Sequence, residues 1–238
     1  MNPVKTALIT GASGQGMGRS IALTLARDGY AVVINYRQNE KAAHDLAALI
    51  QSRGGRAAAV QGDVFKQEDC EALVVKTVEQ FGRLDVCVIS PGASWNPEPV
   101  TALKPKKSLR DIYQEVAPVD YLLPHALREM QKQNGGRIIG IASNLNIPSP
   151  LYSYNAAKAA RIEALRQAVS AAWKLGVTVN IIAPGPVDPF QSLEQAAASA
   201  SSRSLGGKVN PQDIAEGVAF LCSDAARYIT GCVLPYMF

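Results

Sequence analysis

Along nearly the whole chain, short apolar runs alternate with longer segments of helical period. The runs Thr6–Thr10, Ala31–Asn35, Arg56–Gln61, Leu84–Ser90, Gly136–Ala142, Val177–Ala183 and Ile229–Leu234 predict strands. Between them, Arg19–Ala26, Lys41–Arg53, Lys66–Phe81, Ser108–Gln133, a segment carrying Tyr154 to about Lys174, and Asn210–Cys222 predict helices. Gly54-Gly55 and Gly82 stop two of these. Pro118 and Pro124 lack an N–H and predict kinks in the long central helix. Ser94–Lys107, with Pro97, Pro99 and Pro105, reads as a loop. Gln191–Arg203 is rich in Ala and Ser with little apolar period, and predicts a mobile lid over residues 188–207. Apolar strands alternating with helices imply a parallel sheet covered on both faces, joined by right-handed crossovers.

Composition narrows the class. A chain of 238 residues, 47% hydrophobic and 18% charged, can bury one large core, so a single domain over 1–238 is expected. No apolar run has membrane-spanning length, and the start runs straight into a strand, so neither a membrane span nor a signal peptide is read. Cys70, Cys87, Cys222 and Cys232 form no C-x-x-C pair and lie mostly in apolar runs. They read as free thiols in a reducing, cytoplasmic setting. His44 and His125 both fall in helical patterns, so no metal site is expected. The net charge of +4 favours anionic ligands slightly and does not suggest nucleic acid. Lys104, Lys106, Lys107 and Arg110 form a basic cluster that fits either a solvated face or an acidic partner.

The first strand runs into Gly11-Ala12-Ser13-Gly14-Gln15-Gly16-Met17-Gly18 and then a helix. Glycines let a backbone approach phosphates, and a helix N-terminus offers free N–H groups and positive potential. Strand, glycine turn and helix together predict a dinucleotide pyrophosphate site. An NAD site usually has an acid at the end of the second strand. Here Asn35-Tyr36-Arg37 has none, and Arg37 can pair with a 2′-phosphate, which favours NADP(H). Asp63, after the third strand, either accepts from the adenine amino group or caps the next helix.

The chemistry converges on Ser143, Tyr154 and Lys158. Tyr154 and Lys158 are four apart, so a helix puts them on one face. An ammonium there favours phenolate over phenol, and a tyrosine so tuned can exchange a proton with a substrate oxygen. Alone, the pair fits a surface Tyr and a surface Lys as well. Ser143 and Pro184-Gly185, however, close strands, and ligands of open α/β sheets bind at strand carboxyl ends.

With these motifs in place the chain resembles, almost end to end, the short-chain dehydrogenase/reductases. Thr10-Gly11 to Gly18 resembles the family's T-G-x-x-x-G-x-G, Asp63-Val64 its adenine-side acid, and Ser143, Tyr154 and Lys158 its catalytic set. Pro184-Gly185, Asn210–Ala215 and Tyr228–Gly231 resemble further family signatures, and Asn35-Tyr36-Arg37 is similar to NADPH-using 3-oxoacyl carrier-protein reductases. The resemblance implies a Rossmann-type doubly wound sheet of about seven parallel strands, order 3-2-1-4-5-6-7, in a homotetramer or homodimer. It implies hydride transfer to a small-molecule carbonyl, free or carrier-protein-bound. Tyr154 would be the acid, Ser143 would polarise the carbonyl, and Lys158 would hold the nicotinamide ribose and lower the Tyr154 pKa. It places the cofactor on Gly11, Ser13, Gln15, Gly16, Met17, Gly18, Arg37, Asp63, Val64, Ser90, Tyr154, Lys158, Pro184, Gly185 and Val187. Trp95, Leu145 and Phe190 are candidate substrate lining.

The chain also departs from the pattern. The glycine turn is one residue longer, and the family's N-N-A-G appears as Ile89-Ser90-Pro91-Gly92. Pro91 cannot donate a backbone hydrogen bond. The family's relay Asn in the long helix aligns with Val116. These losses keep two alternatives open: a non-redox enzyme on the same scaffold (epimerase, lyase or cyclase), and a binding subunit that has lost catalysis. An enoyl reductase fits less well, because Y-x6-K would need a tyrosine where Leu151 stands.

Overall fold

The computed structural model describes residues 3–93, 96–146, 151–202 and 209–236. Strands and helices alternate in the order β1 (Thr6–Ile9), α1 (Met17–Arg27), β2 (Ala31–Tyr36), α2 (Glu40–Ser52), β3 (Arg56–Gln61), α3 (Gln67–Phe81) and β4 (Val86–Ile89). The second half follows with α4 (Pro105–Lys132), β5 (Gly136–Ile141), α5 (Tyr152–Lys174), β6 (Val177–Pro184), α6 (Leu193–Ser202), α7 (Pro211–Cys222) and β7 (Val233–Tyr236). The strands form one parallel sheet in the order β3-β2-β1-β4-β5-β6-β7, as expected. The chain is a single doubly wound α/β domain.

Period-two alternation splits the strand residues between two apolar layers. Ile9, Val32, Ile34, Ile139 and Ile182 pack with α1, α2 and α7. Their neighbours Leu8, Val33, Ile138 and Ile181 pack with α3, α4 and α5 on the other face. The chain builds outward from β1 to β3, then returns to add β4 on the other side of β1. That reversal opens a crevice at the strand carboxyl ends, where ligands of such sheets bind.

Three elements differ from expectation. The last strand begins at Val233 rather than Ile229, because Gly231 adopts φ 74° and Ile229–Cys232 instead bonds sideways to β6. The central helix begins at Pro105, where a first-turn proline loses no bond, and runs through Pro118 and Pro124 without a break. Pro118 is buried between Ala117 and Val119, so packing holds the segment helical despite the missing donor. The segment expected as a lid contains α6, whose Ala196, Ala197 and Ala200 are buried in the layer beside α1. Alanine offers too little apolar contrast for that face to be visible as a period. Among the described residues no helix is long and apolar enough to cross a membrane. All four cysteines are free, and Cys70, Cys87 and Cys222 are buried.

Candidate active site

The glycine turn is held from below by Asn35. Its buried side chain accepts from Gly11 N (3.1 Å) and donates to Gly62 O (2.9 Å), tying the turn after β1 to the end of β3. Sequence reasoning noted Asn35 only as the absence of an acid. Gly11 sits at φ 67°, and a Cβ there would meet Pro91 Cγ at 2.7 Å. Gly18 packs against Ala12, whose Cα an added Cβ would meet at 2.9 Å. The α1 N-terminus has no side-chain cap and no acid in its first turn, so its N–H groups and positive dipole end face the turn. Nothing lies within 4 Å of a Cβ built on Gly16. A cavity of about 280 Å³ runs past Gly11, Ser13, Gly14, Asp63, Val64 and Pro91. This donor set and this space fit the adenosine and pyrophosphate of a dinucleotide.

Arg37 borders that cavity and a second of about 600 Å³, which also carries Gln38, Lys66 and Lys76. Its guanidinium lies 3.9 Å from Asp63 Oδ2 and 5.8 Å from the Phe65 ring centroid. Asp63 does not cap α3. Its Oδ1 accepts from Phe65 N (3.1 Å), and no side chain caps that helix. The helix-cap alternative therefore falls.

The end of β5 and the start of α5 bring Ser143, Tyr154 and Lys158 together. The Tyr154 hydroxyl is hydrogen-bonded to Ser143. The Ser143 hydroxyl also lies 3.5 Å from Pro184 O. The Lys158 ammonium is 5.3 Å from the Tyr154 ring centroid. Asn144 N donates to Pro184 O (2.8 Å). Gly185 N (3.0 Å) and Asn144 Nδ2 (3.2 Å) both donate to Tyr236 O, so the turns after β5 and β6 are joined through β7. Thr10 Oγ1 bridges Val88 O (2.9 Å) and Ser90 N (3.1 Å), fixing the start of the turn after β4.

Burial pushes the Tyr154 hydroxyl up to about 12, and the Glu115 carboxylate adds to that shift. The bond with Ser143 and the charge of Arg161 oppose it. The i, i+4 spacing predicts that Lys158 lowers the Tyr154 pKa; in this structure burial prevails and Lys158 faces another partner. That partner is Glu115, whose Oε1 is 2.9 Å from Lys158 Nζ. Burial pushes the Lys158 pKa down, and Glu115 holds it up. The α4 residue that meets Lys158 is thus Glu115, next to Val116. A signal was present: Asp111, Glu115, Val119, Leu122 and Ala126 follow one helical stripe, and all are buried.

Some expected residues fall elsewhere. Gln15 and Met17 lie on the glycine turn and the first turn of α1, and Met17 packs on the core. Val187 and Phe190 also pack on that apolar layer, and Leu145 is 37% exposed. Trp95, and residues 203–207 of the lid, lie outside the described residues. Within the basic cluster, Lys107 is paired with buried Asp111 (2.6 Å) and Lys104 lies 3.5 Å from Glu98, which leaves less free charge than the sequence suggests.

A family model described as "Enoyl-(Acyl carrier protein) reductase" matches residues 11–236. The chain is 33% identical over 236 residues to cis-4-hydroxycyclohexanecarboxylate dehydrogenase of Sinomonas cyclohexanicum, covering 97% of this chain and 94% of that one. It is 34% identical over 240 residues to 3-oxoacyl-[acyl-carrier-protein] reductase of Staphylococcus aureus, covering 97% and 96%. Among solved structures it resembles 7α-hydroxysteroid dehydrogenase complexed with NADH and 7-oxo glycochenodeoxycholic acid. That match has a TM-score of 0.84 and 28% identity, and covers 98% of this chain and 93% of that one.

Proposed function

The chain belongs to the short-chain dehydrogenase/reductase family, oxidoreductases of carbonyl and alcohol substrates with NAD(P)(H) as the typical cofactor, and from that premise we propose that it reduces a ketone with NADPH. The observation that carries this reading is the half-buried Tyr154, hydrogen-bonded to Ser143 and beside Lys158, at the carboxyl end of the sheet. A phenol held up to about 12 stays protonated at neutral pH, the form from which reduction takes its proton. Ser143 holds the carbonyl oxygen within reach of that phenol, and the two hydroxyls stabilise the charge that develops on the oxygen. The bound cofactor supplies the hydride. The glycine turn and the α1 N-terminus take its pyrophosphate, and Asp63 lies beside the adenosine cavity.

Arg37, with Lys66 and Lys76 around an adjoining cavity that Asp63 and Asp69 also line, supports NADPH over NADH, since the cations there outnumber the acids and no acid ends β2. The relatives act on substrates as unlike as a cyclohexane carboxylate, an acyl carrier-protein thioester and a steroid, so kinship alone leaves the ketone open. A 3-oxoacyl group, free or carrier-bound, heads the panel because the Staphylococcus reductase is 34% identical over 97% of this chain.

The test is nicotinamide oxidation by the purified protein over a panel of 3-oxoacyl, cyclic and steroidal ketones, with Tyr154→Phe alongside. Turnover with NADPH, falling by about 10²–10⁴ in the variant, is the expected result. Tight NADPH binding with no oxidation on any member of the panel would sink the reductase reading.

A further inference from the structure

Glu115 and Arg161 are fully buried, and the departure at residues 91–93 closes on them. Glu115 Oε1 is 2.9 Å from Lys158 Nζ and accepts from Ala93 N at 2.9 Å. Its Oε2 is 2.8 Å from Arg161 Nε. That contact is an ion pair, with Oε2 accepting no hydrogen bond, because Arg161 directs its N–H donors at main-chain oxygens. Nη1 reaches Ser90 O (3.2 Å) and Ile141 O (3.0 Å), Nε reaches Glu115 O (3.0 Å), and Nη2 donates to Pro91 O. Gly92 lies flat on the carboxylate, where a Cβ would meet Oε1 at 2.4 Å. A charge at this depth is strongly disfavoured without its partner, so neither Glu115 nor Arg161 fits here alone.

We propose that Glu115 is the positioning residue for Lys158, that Arg161 neutralises and anchors Glu115, and that the turn Pro91-Gly92-Ala93 is the cradle built around this pair. The inference rests on the reading of Tyr154 and Lys158 as the catalytic pair. The arithmetic of charge explains why the two residues occur together. A carboxylate placed on Lys158 alone would cancel the cationic field at Tyr154. Adding the guanidinium returns the cluster of Lys158, Glu115 and Arg161 to a single net positive charge. The opposed pulls on Tyr154, upward from Glu115 and downward from Arg161, agree with this geometry. Pro91, which looked like a lesion because it lacks an N–H, contributes its carbonyl instead. Lys158 is thereby fixed by protein groups before any cofactor arrives.

Few other groups can interfere. Tyr154 faces Ser143 from β5, Glu115 from α4, and Lys158 and Arg161 from its own helix. The turns Ser90–Ala93 and Pro184–Val187 carry no titratable side chain. Asp111, one turn before Glu115, is closed on Lys107 at 2.6 Å.

The test is a pH titration of the free, full-length protein labelled with 13Cζ-tyrosine, the Tyr154 resonance being assigned by its loss in Tyr154→Phe. Glu115→Gln should ionise Tyr154 at lower pH than wild type. Arg161→Met should move it higher, and the double variant should return towards wild type. A role confined to packing would change stability without this ordered displacement and reversal. If Arg161→Met does not fold by circular dichroism, Glu115→Gln and the double variant decide. An unmoved Tyr154 titration in Glu115→Gln, or a double variant displaced as far as Glu115→Gln, overturns the proposal. The titration needs no substrate, so failure of the carbonyl panel would sink the reductase reading and leave this outcome legible by itself.

Discussion

Gly92 lies against the Glu115 carboxylate so closely that a β-carbon would come within 2.5 Å of Oε1, Cδ and Oε2. Gly92→Ala should therefore destabilise the fold by about 1–3 kcal/mol through overpacking. In a Glu115→Ala background the same change should cost far less, since the clashing group is gone. Urea unfolding of the four proteins in this cycle gives the coupling. Equal costs in both backgrounds would place the strain elsewhere.

Arg37 bears on cofactor choice. Removal of one charge-assisted bond to a 2′-phosphate costs about 1.5–3 kcal/mol, or roughly a tenfold to hundredfold weakening. Arg37→Ala should weaken NADPH by that factor and leave NADH nearly unchanged, as read by fluorescence titration. A parallel loss for both cofactors would assign Arg37 to the Asp63 and Phe65 contacts rather than to phosphate.

The Tyr154 proton sets opposite pH responses for the two reaction directions. Its folded-state pKa is raised from 10.0 to about 12, so the phenol persists through neutral pH. Ketone reduction, which uses the phenol, should have a flat kcat/KM across neutral pH. Alcohol oxidation, which needs the phenolate, should rise about tenfold per pH unit. The same shift acts on stability: the folded state holds this proton more tightly than the unfolded chain, so stability falls as pH climbs from 10 towards 12. Tyr154→Phe should lose less stability over that window.

Asn35 clamps the glycine turn. Asn35→Ala orphans Gly11 N and Gly62 O, each at a cost of about 1–3 kcal/mol if no water replaces the amide. The variant should lower Tm and weaken both NADPH and NADH, because the deranged turn faces the pyrophosphate that they share. Isothermal titration with both cofactors separates this from the Arg37 effect.

Much of this architecture was legible because strands buried on both faces read as plain apolar runs such as Ala31–Asn35, and the helices between them carry a 3.6 period. The clustering of Ser143, Tyr154 and Lys158 followed from Ser143 closing β5 and from the i, i+4 spacing of the other two on the next helix. Three features resisted. Gly231 ends one hydrogen-bonded run and starts another, which no residue count reveals. The alanines of α6 bury a face that looks neutral in sequence. Glu115 and Arg161 read as polar residues on helices, yet both lie in phase with core positions: Glu115 with Val119 and Leu122, and Arg161 with Tyr154, Lys158 and Leu165. Their charges cancel only in space, so a linear reading sees two solvated side chains.

The carbonyl of Tyr236, accepting from both Asn144 and Gly185, has a bearing on the order of assembly. The turns after β5 and β6 that frame Ser143 are stitched to β7, which follows them in the chain. On the ribosome, the earlier strands can pair and collapse while these two turns still lack their common acceptor. The turns around Ser143 accordingly reach their final geometry only once the long-range contact with β7 has formed. Without β7 the turns after β5 and β6 would keep only the direct bond from Asn144 N to Pro184 O.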